Sequence, residues 1–240
     1  MLRSLPDLAS FKHAGRKIVA VVAWDVQMAR IAERAGVDLV SVGDSVGANL
    51  WGRPVDDPVT VDEMVLVAAA VRGGARSALL SCDVPVSVRP SHAVGAARRL
   101  VDEAGVDLVK LGDPEAVSAV VAAGIPVWAE FEGGAEPARH VHEALALQEA
   151  GAALLDFKHS GPVAGPLVTA AVSIPVLGGL GGGPWLDGRI RMVHAAIGYA
   201  ASGLDEPPDT YANVARIAYD AVRSYAADVR SARPVRGDTP

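Results

Sequence analysis

The ten residues AGVDLVSVGD at positions 35–44 recur almost unchanged as AGVDLVKLGD at positions 104–113. In each copy, an apolar run of strand length is followed directly by Gly-Asp. The two copies are 69 residues apart, which suits two strand–helix units, and EAGAALLDF at 149–157 is a fainter third copy. The repeat therefore predicts a fold built from similar β-α units on one parallel sheet.

Short apolar runs alternate with amphipathic stretches of helical length along the whole chain. The runs read as continuous rather than alternating, which is typical of parallel strands covered on both faces. Seven runs are clear and an eighth, within 189–196, is less regular; the seven lie at 17–23, 37–42, 77–82, 106–111, 125–130, 152–157 and 174–179. Between them we predict helices near 25–35, 60–73, 91–104, 114–123, 137–150 and 162–172.

This pattern predicts an α/β fold, a (β/α)8 TIM barrel in a single domain that covers 1–240. The barrel core is expected at about 17–200, an extra C-terminal helix at about 209–229, and a loose tail at 230–240. A doubly wound open sheet is the alternative. The first strand is not followed by a G-x-G-x-x-G motif, which disfavours the dinucleotide-binding form of that sheet.

Composition excludes several classes of protein. Half of the 240 residues are hydrophobic, which argues against disorder, and the formal charge of −6 argues against a nucleic-acid partner. The absence of an apolar run of about 18 residues predicts no membrane span. Cys82 is the single cysteine, so a disulfide scaffold is excluded and a reducing, cytoplasmic location is expected.

Ionisable side chains follow the predicted strands one after another. In a barrel, the carboxyl ends of the strands meet at one face, where the active site lies. Aspartate and serine are also common as helix caps, which is a sufficient explanation for a single residue such as Asp25 but not for the whole series. The series comprises Asp25, Asp44, Asp83, Lys110, Asp113, Glu130, Asp156 and Lys158.

Asp44 and Asp83 follow two adjacent strands, so their carboxylates are expected to converge on one cation. Hard oxygen ligands without cysteine suit Mg²⁺ better than Zn²⁺. His140 and His142 do not form a chelating pair, and we expect both on the surface. The run GGLGGG at 178–183 fits either phosphate binding or close backbone packing.

Two blocks carry a resemblance to a known family. They are KIVAVVAWDVQMARIAERAGVDLVSVGDSVG at 17–47 and PVTVDEM at 58–64. The chain resembles ketopantoate hydroxymethyltransferase from about Lys17 to Tyr225. The resemblance implies a homo-oligomeric (β/α)8 barrel that binds Mg²⁺, abstracts a proton next to the carbonyl of 3-methyl-2-oxobutanoate, and adds the enolate to the one-carbon unit of methylenetetrahydrofolate.

The resemblance also implies roles for individual residues. Asp44 and Asp83 match the family's metal carboxylates. Ser45 matches the hydroxyl that contacts the oxo acid, and Lys110 matches the lysine that holds its carboxylate. The physical reading agrees, because Mg²⁺ and a compact ammonium group both stabilise an enolate anion.

The departures from the family pattern concern the other half of the site. Gly112 stands where the family has a glutamate, and we predict that Asp113 replaces it as a third metal carboxylate. Glu130 stands at the position of a family histidine, and the loop that follows is much shorter. Lys158 stands at the position of the catalytic glutamate, with Asp156 two residues earlier on the same face of the strand.

Three hypotheses follow. The first is a Mg²⁺-dependent enzyme that acts on a 2-oxo acid through a metal-bound enolate and transfers a hydroxymethyl group from methylenetetrahydrofolate. The second is a divergent aldolase or carbon–carbon lyase on the same barrel that no longer uses folate, with Lys158, Glu130 and Asp156 as catalytic groups and Lys158 as a base or Schiff-base lysine. The third is a degenerate barrel kept as a binding partner.

Overall fold

The described strands close into a parallel barrel in a computed structural model of the protein, which describes residues 4–134, 136–206 and 208–237. The strand order is sequential, and every neighbouring pair with a recorded register is parallel. The strands are β1 Ile18–Val22, β2 Leu39–Val42, β3 Leu79–Asp83, β4 Leu108–Leu111, β5 Val127–Glu132, β6 Leu154–Lys158, β7 Val176–Gly178 and β8 Gly188–Met192. The predicted barrel is thus confirmed, and the open sheet was the wrong alternative.

Helices alternate with these strands close to the predicted positions. The eighth apolar run divides, because its first part is strand β8 and its second part is a short helix. The helices are α1 Leu5–His13, α2 Val26–Arg34, α3 Val46–Asn49, α4 Val61–Arg72, α5 Ala93–Ala104, α6 Pro114–Ala122, α7 Pro137–Glu149, α8 Gly161–Ala171, α9 Val193–Ala196 and α10 Val214–Arg230. None of the described helices is long and apolar enough to cross a membrane.

The chain forms two compact units, one ending at Arg191 and one from Met192 onward. The first holds the barrel strands and helices α1 to α8. The second holds α9, a 3₁₀ turn at Ala201–Leu204, and α10. The single domain over 1–240 stays a prediction. The C-terminal helix begins later than expected, and the end of the predicted loose tail, residues 238–240, lies outside the described residues.

The barrel interior is filled by large apolar side chains, and helix α1 adds the fully buried Leu8 to them. Each strand contributes residues of one parity, since alternate residues of a strand point to the same side. The shared apolar layer consists of Ile18, Ala20, Leu39, Leu79, Leu108, Trp128, Leu154, Leu177 and Ile190. Because this layer fills the lower part of the barrel, the inward residues that follow it on each strand, at intervals of two, form its upper lining.

Candidate active site

Lys110 lies at the centre of the upper lining and is almost completely buried. Its Nζ lies 2.6 Å from Asp156 Oδ2, 2.9 Å from Glu130 Oε2 and 3.9 Å from Asp83 Oδ1. The exposed fraction of its side chain is only 7%. A buried ammonium group needs such compensation, because desolvation of an unpaired charge is very costly.

Strand parity and register explain why these four residues meet. Asp83, Lys110, Glu130 and Asp156 each follow by two positions an interior residue of the same strand, namely Ser81, Leu108, Trp128 and Leu154. Asp83 is the register partner of Lys110, and Glu130 is the register partner of Asp156. Three carboxylates from β3, β5 and β6 therefore face the lysine of β4.

Lys158 closes the cluster toward solvent. Its Nζ lies 2.8 Å from Glu130 Oε2, and 42% of its side chain is exposed. Glu130 is thus shared between two ammonium groups, one buried and one at the rim. The amine of Lys158 is therefore engaged by Glu130 in an ion pair at the rim of the cluster.

The cluster perturbs the acidity of its members in opposite directions. Burial raises the pKa of Asp83 to about 7, against the lowering effect of Lys110 and with further raising by Glu130 and Asp44. Burial would also raise the pKa of Glu130, but Lys110 and Lys158 outweigh it and lower that pKa to about 2. The pKa of Lys110 is well above its ordinary value, because the surrounding carboxylates outweigh its burial.

Asp44 and Ser45 lie beside this cluster at the end of β2. The backbone N–H of Asp44 donates a hydrogen bond to Asp83 Oδ2 at 3.3 Å. A Cβ atom placed on Gly43 would lie 3.0 Å from Ser45 Oγ and 3.6 Å from Asp83 Oδ2. The backbone of Asp44 and the side chains of Ser45 and Asp83 therefore meet around Gly43, whose missing side chain leaves that space open.

These residues fit a Mg²⁺ ion. Asp83 Oδ1 is buried and accepts no hydrogen bond from the described residues, so it has an unused lone pair. Asp83, Glu130 and Asp156 contact Lys110 or Lys158, and Asp44 lies beside Asp83; if all six groups are ionised, they carry a formal charge of −2 that one divalent cation would balance. Among the described residues there is no cluster of three or more metal-ligating side chains. Mg²⁺ does not need three protein ligands, since it commonly binds through one or two carboxylates and retains water.

Asp113 and Asp25 act as helix caps. Asp113 is exposed, and its carboxylate accepts a hydrogen bond at 2.9 Å from the N–H of Ala116 in the first turn of α6. Asp25 accepts hydrogen bonds from Gln27 and Met28 at the start of α2. The structure thus accounts for both carboxylates by capping, and the role of Asp113 as a third metal ligand stays a prediction.

Gly112 packs directly against Glu130. A Cβ atom at this position would lie 2.5 Å from the carbonyl oxygen of Glu130 and 3.4 Å from Glu130 Cγ. No side chain fits there without a backbone shift. Glu130 therefore lies beside both Gly112 and Lys110, whereas Asp113 caps α6.

Other features could not be read from the sequence, or were read wrongly. His140 is 5% exposed and its ring is 5.5 Å from that of Phe157, so its expected surface position was wrong. Its spacing to buried Ala144 and Leu147 on α7 is the signal that was missed. Trp128, below Lys110, places its ring 5.4 Å from the ammonium group, a cation–π contact.

The glycine-rich run after β7 packs against the backbone that follows β6. Gly181 has a φ of +72°, and a Cβ atom there would lie 2.9 Å from His159 Cα. Its carbonyl accepts a hydrogen bond from the N–H of Gly161 at 3.0 Å. Close backbone packing explains these glycines, as the second of the two interpretations proposed.

Known proteins resemble the chain over nearly its whole length. The family model described as ketopantoate hydroxymethyltransferase matches residues 3–234. The chain belongs to the ketopantoate hydroxymethyltransferase family. Two curated relatives are 3-methyl-2-oxobutanoate hydroxymethyltransferases: that of Synechocystis sp. is 32% identical, covering 96% of this chain and 98% of the relative, and that of Trichodesmium erythraeum is 34% identical, covering 93% and 94%.

Solved structures confirm the ketopantoate hydroxymethyltransferase barrel at the level of fold. A phosphoenolpyruvate phosphomutase from Streptomyces platensis is 17% identical with a TM-score of 0.68, over 96% of this chain and 89% of that one. A phosphonopyruvate hydrolase in complex with oxalate and Mg²⁺ is 16% identical with a TM-score of 0.66, over 96% and 88%. The predicted family and the prediction of an enzyme of the hydroxymethyltransferase kind are both confirmed.

Proposed function

We propose that the protein forms the enolate of a 2-oxo acid at the mouth of the barrel and joins it to a carbonyl-type electrophile. The observation that carries this proposal is the convergence of Asp44, Ser45, Asp83 and Lys110, the half of the site that matches the family. The relatives' names, which specify 3-methyl-2-oxobutanoate, support that substrate class.

In this proposal Asp44 and Asp83 hold Mg²⁺, which when bound would polarise the oxo group of the substrate as a Lewis acid. Ser45 orients the substrate through its hydroxyl group. Lys110 binds the substrate carboxylate, for which it is suited because it stays protonated among its carboxylate neighbours. A phosphonopyruvate hydrolase of similar fold was solved with oxalate, a small dicarboxylate, and Mg²⁺.

Glu130 is our candidate for the group that takes the C3 proton. Its low pKa results from Lys110 and Lys158, so a substrate carboxylate that competes for Lys110 removes part of this stabilisation and makes Glu130 a stronger base. Lys158 then serves as a cation that positions Glu130 at 2.8 Å. Asp156, whose Oδ1 accepts no hydrogen bond from the described residues, keeps Lys110 in place through Oδ2.

The first and second hypotheses differ in the electrophile that the enolate attacks. Transfer from methylenetetrahydrofolate is the activity that the relatives' names support. A folate-independent aldolase or lyase is favoured by the Glu130–Lys158 ion pair, which stands where the resembled family has histidine and glutamate. It is also favoured by the short connection between β5 and α7, which comprises only residues 133–136.

Isotope exchange tests the proposal. In deuterated water with Mg²⁺, we expect loss of the C3 proton of 3-methyl-2-oxobutanoate, observed by ¹H NMR. Acceleration by tetrahydrofolate supports hydroxymethyl transfer, whereas folate-independent exchange supports the aldolase or lyase. Absence of exchange with every 2-oxo acid tested would refute enolate formation.

Two variants test the roles of the acid/base residues. Glu130→Gln should slow exchange at least ~100-fold, the usual contribution of a general base. Lys158→Gln should slow it less, because the base is retained. Borohydride treatment with a 2-oxo acid should leave Lys158 unmodified; a reduced adduct on Lys158 would establish the Schiff-base alternative instead.

A further inference from the structure

Trp24 lies between the end of β1 and the start of α2, and its indole N–H reaches the turn that follows β2. The residue is 4% exposed, and its Nε1–H donates a hydrogen bond to the carbonyl oxygen of Gly43 at 3.1 Å. The main chain is held on both sides of Trp24, because the N–H of Ala23 donates to the carbonyl oxygen of Ser41 at 3.0 Å and the carboxylate of Asp25 caps α2. The indole is therefore a donor on a rigid support.

The acceptor of this hydrogen bond is the peptide group that joins Gly43 to Asp44. Its carbonyl oxygen accepts a second hydrogen bond, from the N–H of Val46 at 3.1 Å. Its N–H group, which belongs to Asp44, donates to Asp83 Oδ2 at 3.3 Å. Both polar ends of one peptide group are thus bound, from the side of β1 by Trp24 and from the side of β3 by Asp83.

This peptide group lies where the backbone after β2 is free to rotate. Strand β2 ends at Val42, and Gly43, which has no side chain, can adopt more backbone conformations than any other residue type. The Cα atom of Asp44 belongs to the same planar unit as the peptide group. A rotation of the peptide would therefore move the carboxylate of Asp44, and the hydrogen bond from Trp24 opposes that rotation.

Burial of an indole does not by itself account for this contact. Buried tryptophan N–H groups usually find an acceptor, but Trp128 is fully buried and its Nε1 has no hydrogen-bond partner among the described residues. The indole of Trp185 donates to a serine hydroxyl, Ser160 Oγ, at 3.3 Å. What distinguishes Trp24 is its acceptor, because the peptide group that it binds carries one predicted metal ligand and donates to the other.

We infer that Trp24 is a positioning residue whose indole N–H fixes the Gly43–Asp44 peptide group, and with it the point from which the Asp44 side chain extends beside Asp83. The inference rests on the proposed function, because it takes Asp44 and Asp83 as the ligands of Mg²⁺. Trp24 acts through the peptide group and not on the substrate. Groups that orient metal ligands in this way typically change metal affinity by roughly 10–100-fold.

Isothermal titration calorimetry with Mg²⁺ tests the role of Trp24 without reference to activity. Trp24→Phe removes the donor but keeps an aromatic ring, and should weaken Mg²⁺ binding about 10-fold while circular dichroism shows a native fold. Trp185→Phe is the matched control, because it also removes one indole hydrogen bond, and should bind Mg²⁺ like the native protein. Equal affinity of the native protein and Trp24→Phe, or an equal loss in both variants, would refute the inference alone. A native protein that binds no Mg²⁺ would refute the proposed metal site and this inference with it.

The indole resonances of the native protein give a second readout, which does not depend on the stability of a variant. The chain has four tryptophans, so a ¹H–¹⁵N TROSY spectrum should contain four indole signals, and those of Trp24 and Trp185 are identified by their absence from the spectra of the two variants. Titration with Mg²⁺ should shift the Trp24 signal with the midpoint found by calorimetry, because its acceptor peptide carries a metal ligand. The Trp185 signal should stay in place. A Trp24 signal that does not move while Mg²⁺ binds would contradict the coupling between the indole and the metal site.

Discussion

Replacement of Lys110 by methionine tests whether the barrel mouth is held together by a buried charge network. Met has nearly the same length and packs well, so the main change is the loss of one positive charge. Asp156, Glu130 and Asp83 then face one another without their common partner. We expect a large loss of stability, independent of any effect on activity.

The structure sets the size of this effect. At the 2.6 Å distance between Lys110 Nζ and Asp156 Oδ2, Coulomb's law with an effective dielectric constant of about 20 gives an attraction of about 6 kcal/mol. Part of this offsets the desolvation of both charges, and removal of one partner of a buried pair typically costs about 3–5 kcal/mol. We therefore expect Lys110→Met to lower the free energy of unfolding by about 3–5 kcal/mol.

Two companion variants make the argument specific. Asp156→Asn leaves Lys110 paired with Glu130 at 2.9 Å and should cost only about 1–3 kcal/mol. The double variant Lys110→Met with Asp156→Leu removes both charges, while Glu130 keeps Lys158. It should recover most of the loss, since an apolar pair often replaces a buried ion pair at little cost.

Urea unfolding followed by circular dichroism, with a chelator present so that no divalent cation compensates the carboxylates, provides the measurement. The expected order of stability is native, then Asp156→Asn, then Lys110→Met, with the double variant well above Lys110→Met. A loss below about 1 kcal/mol for Lys110→Met would refute the buried network, because such values are typical of exposed ion pairs. A double variant as unstable as Lys110→Met would refute the pairing of Lys110 with Asp156.

Three further predictions concern other parts of the chain. Asp44→Ala should abolish Mg²⁺ binding in isothermal titration calorimetry while Asp113→Ala retains it, because Asp113 caps α6; equal losses would show that Asp113 is a ligand. Gly165→Ala should lower the melting temperature, since a Cβ atom there overlaps the Trp185 indole. Gly95→Ala is the control: Gly95 lies in helix α5 with open space around it, so this change should be neutral or stabilising by roughly 0.5–1 kcal/mol. Hydrogen bonding to Arg53 lowers the pKa of Glu63 from 4.5 to about 2, so its stabilisation is complete above about pH 5 and is lost as the pH falls toward 2. The difference in stability between the native protein and Glu63→Gln should therefore shrink over that range, and a difference that is constant with pH would contradict the ion pair.

Much of the barrel was predictable from local patterns. The recurrence of AGVDLV, the continuous apolar runs and the 3.6-residue period of the amphipathic stretches between them are all properties of residues that lie close together in the chain. The eighth strand was predicted less sharply, because RIRMVHAA combines the end of β8 with the start of α9. The sequence alone could not tell whether Asp25 is a helix cap or a site residue. The structure shows that its carboxylate accepts a hydrogen bond from the N–H of Gln27, as a helix cap does.

In the candidate site too, some features follow from the sequence and others only from the tertiary structure. The sequence by itself determined which ionisable residues end the strands, because parity and strand length place Asp83, Lys110, Glu130 and Asp156 on the inner face. Only the closed barrel decided their partners, since Lys110 on β4 contacts Asp156 on β6, a strand that is not its neighbour. Closure also filled the space beside Gly112 with Glu130 and buried His140 under Phe157. Spacing along the chain specifies the direction in which a side chain points, whereas the charge that it meets depends on strands brought together over many tens of residues.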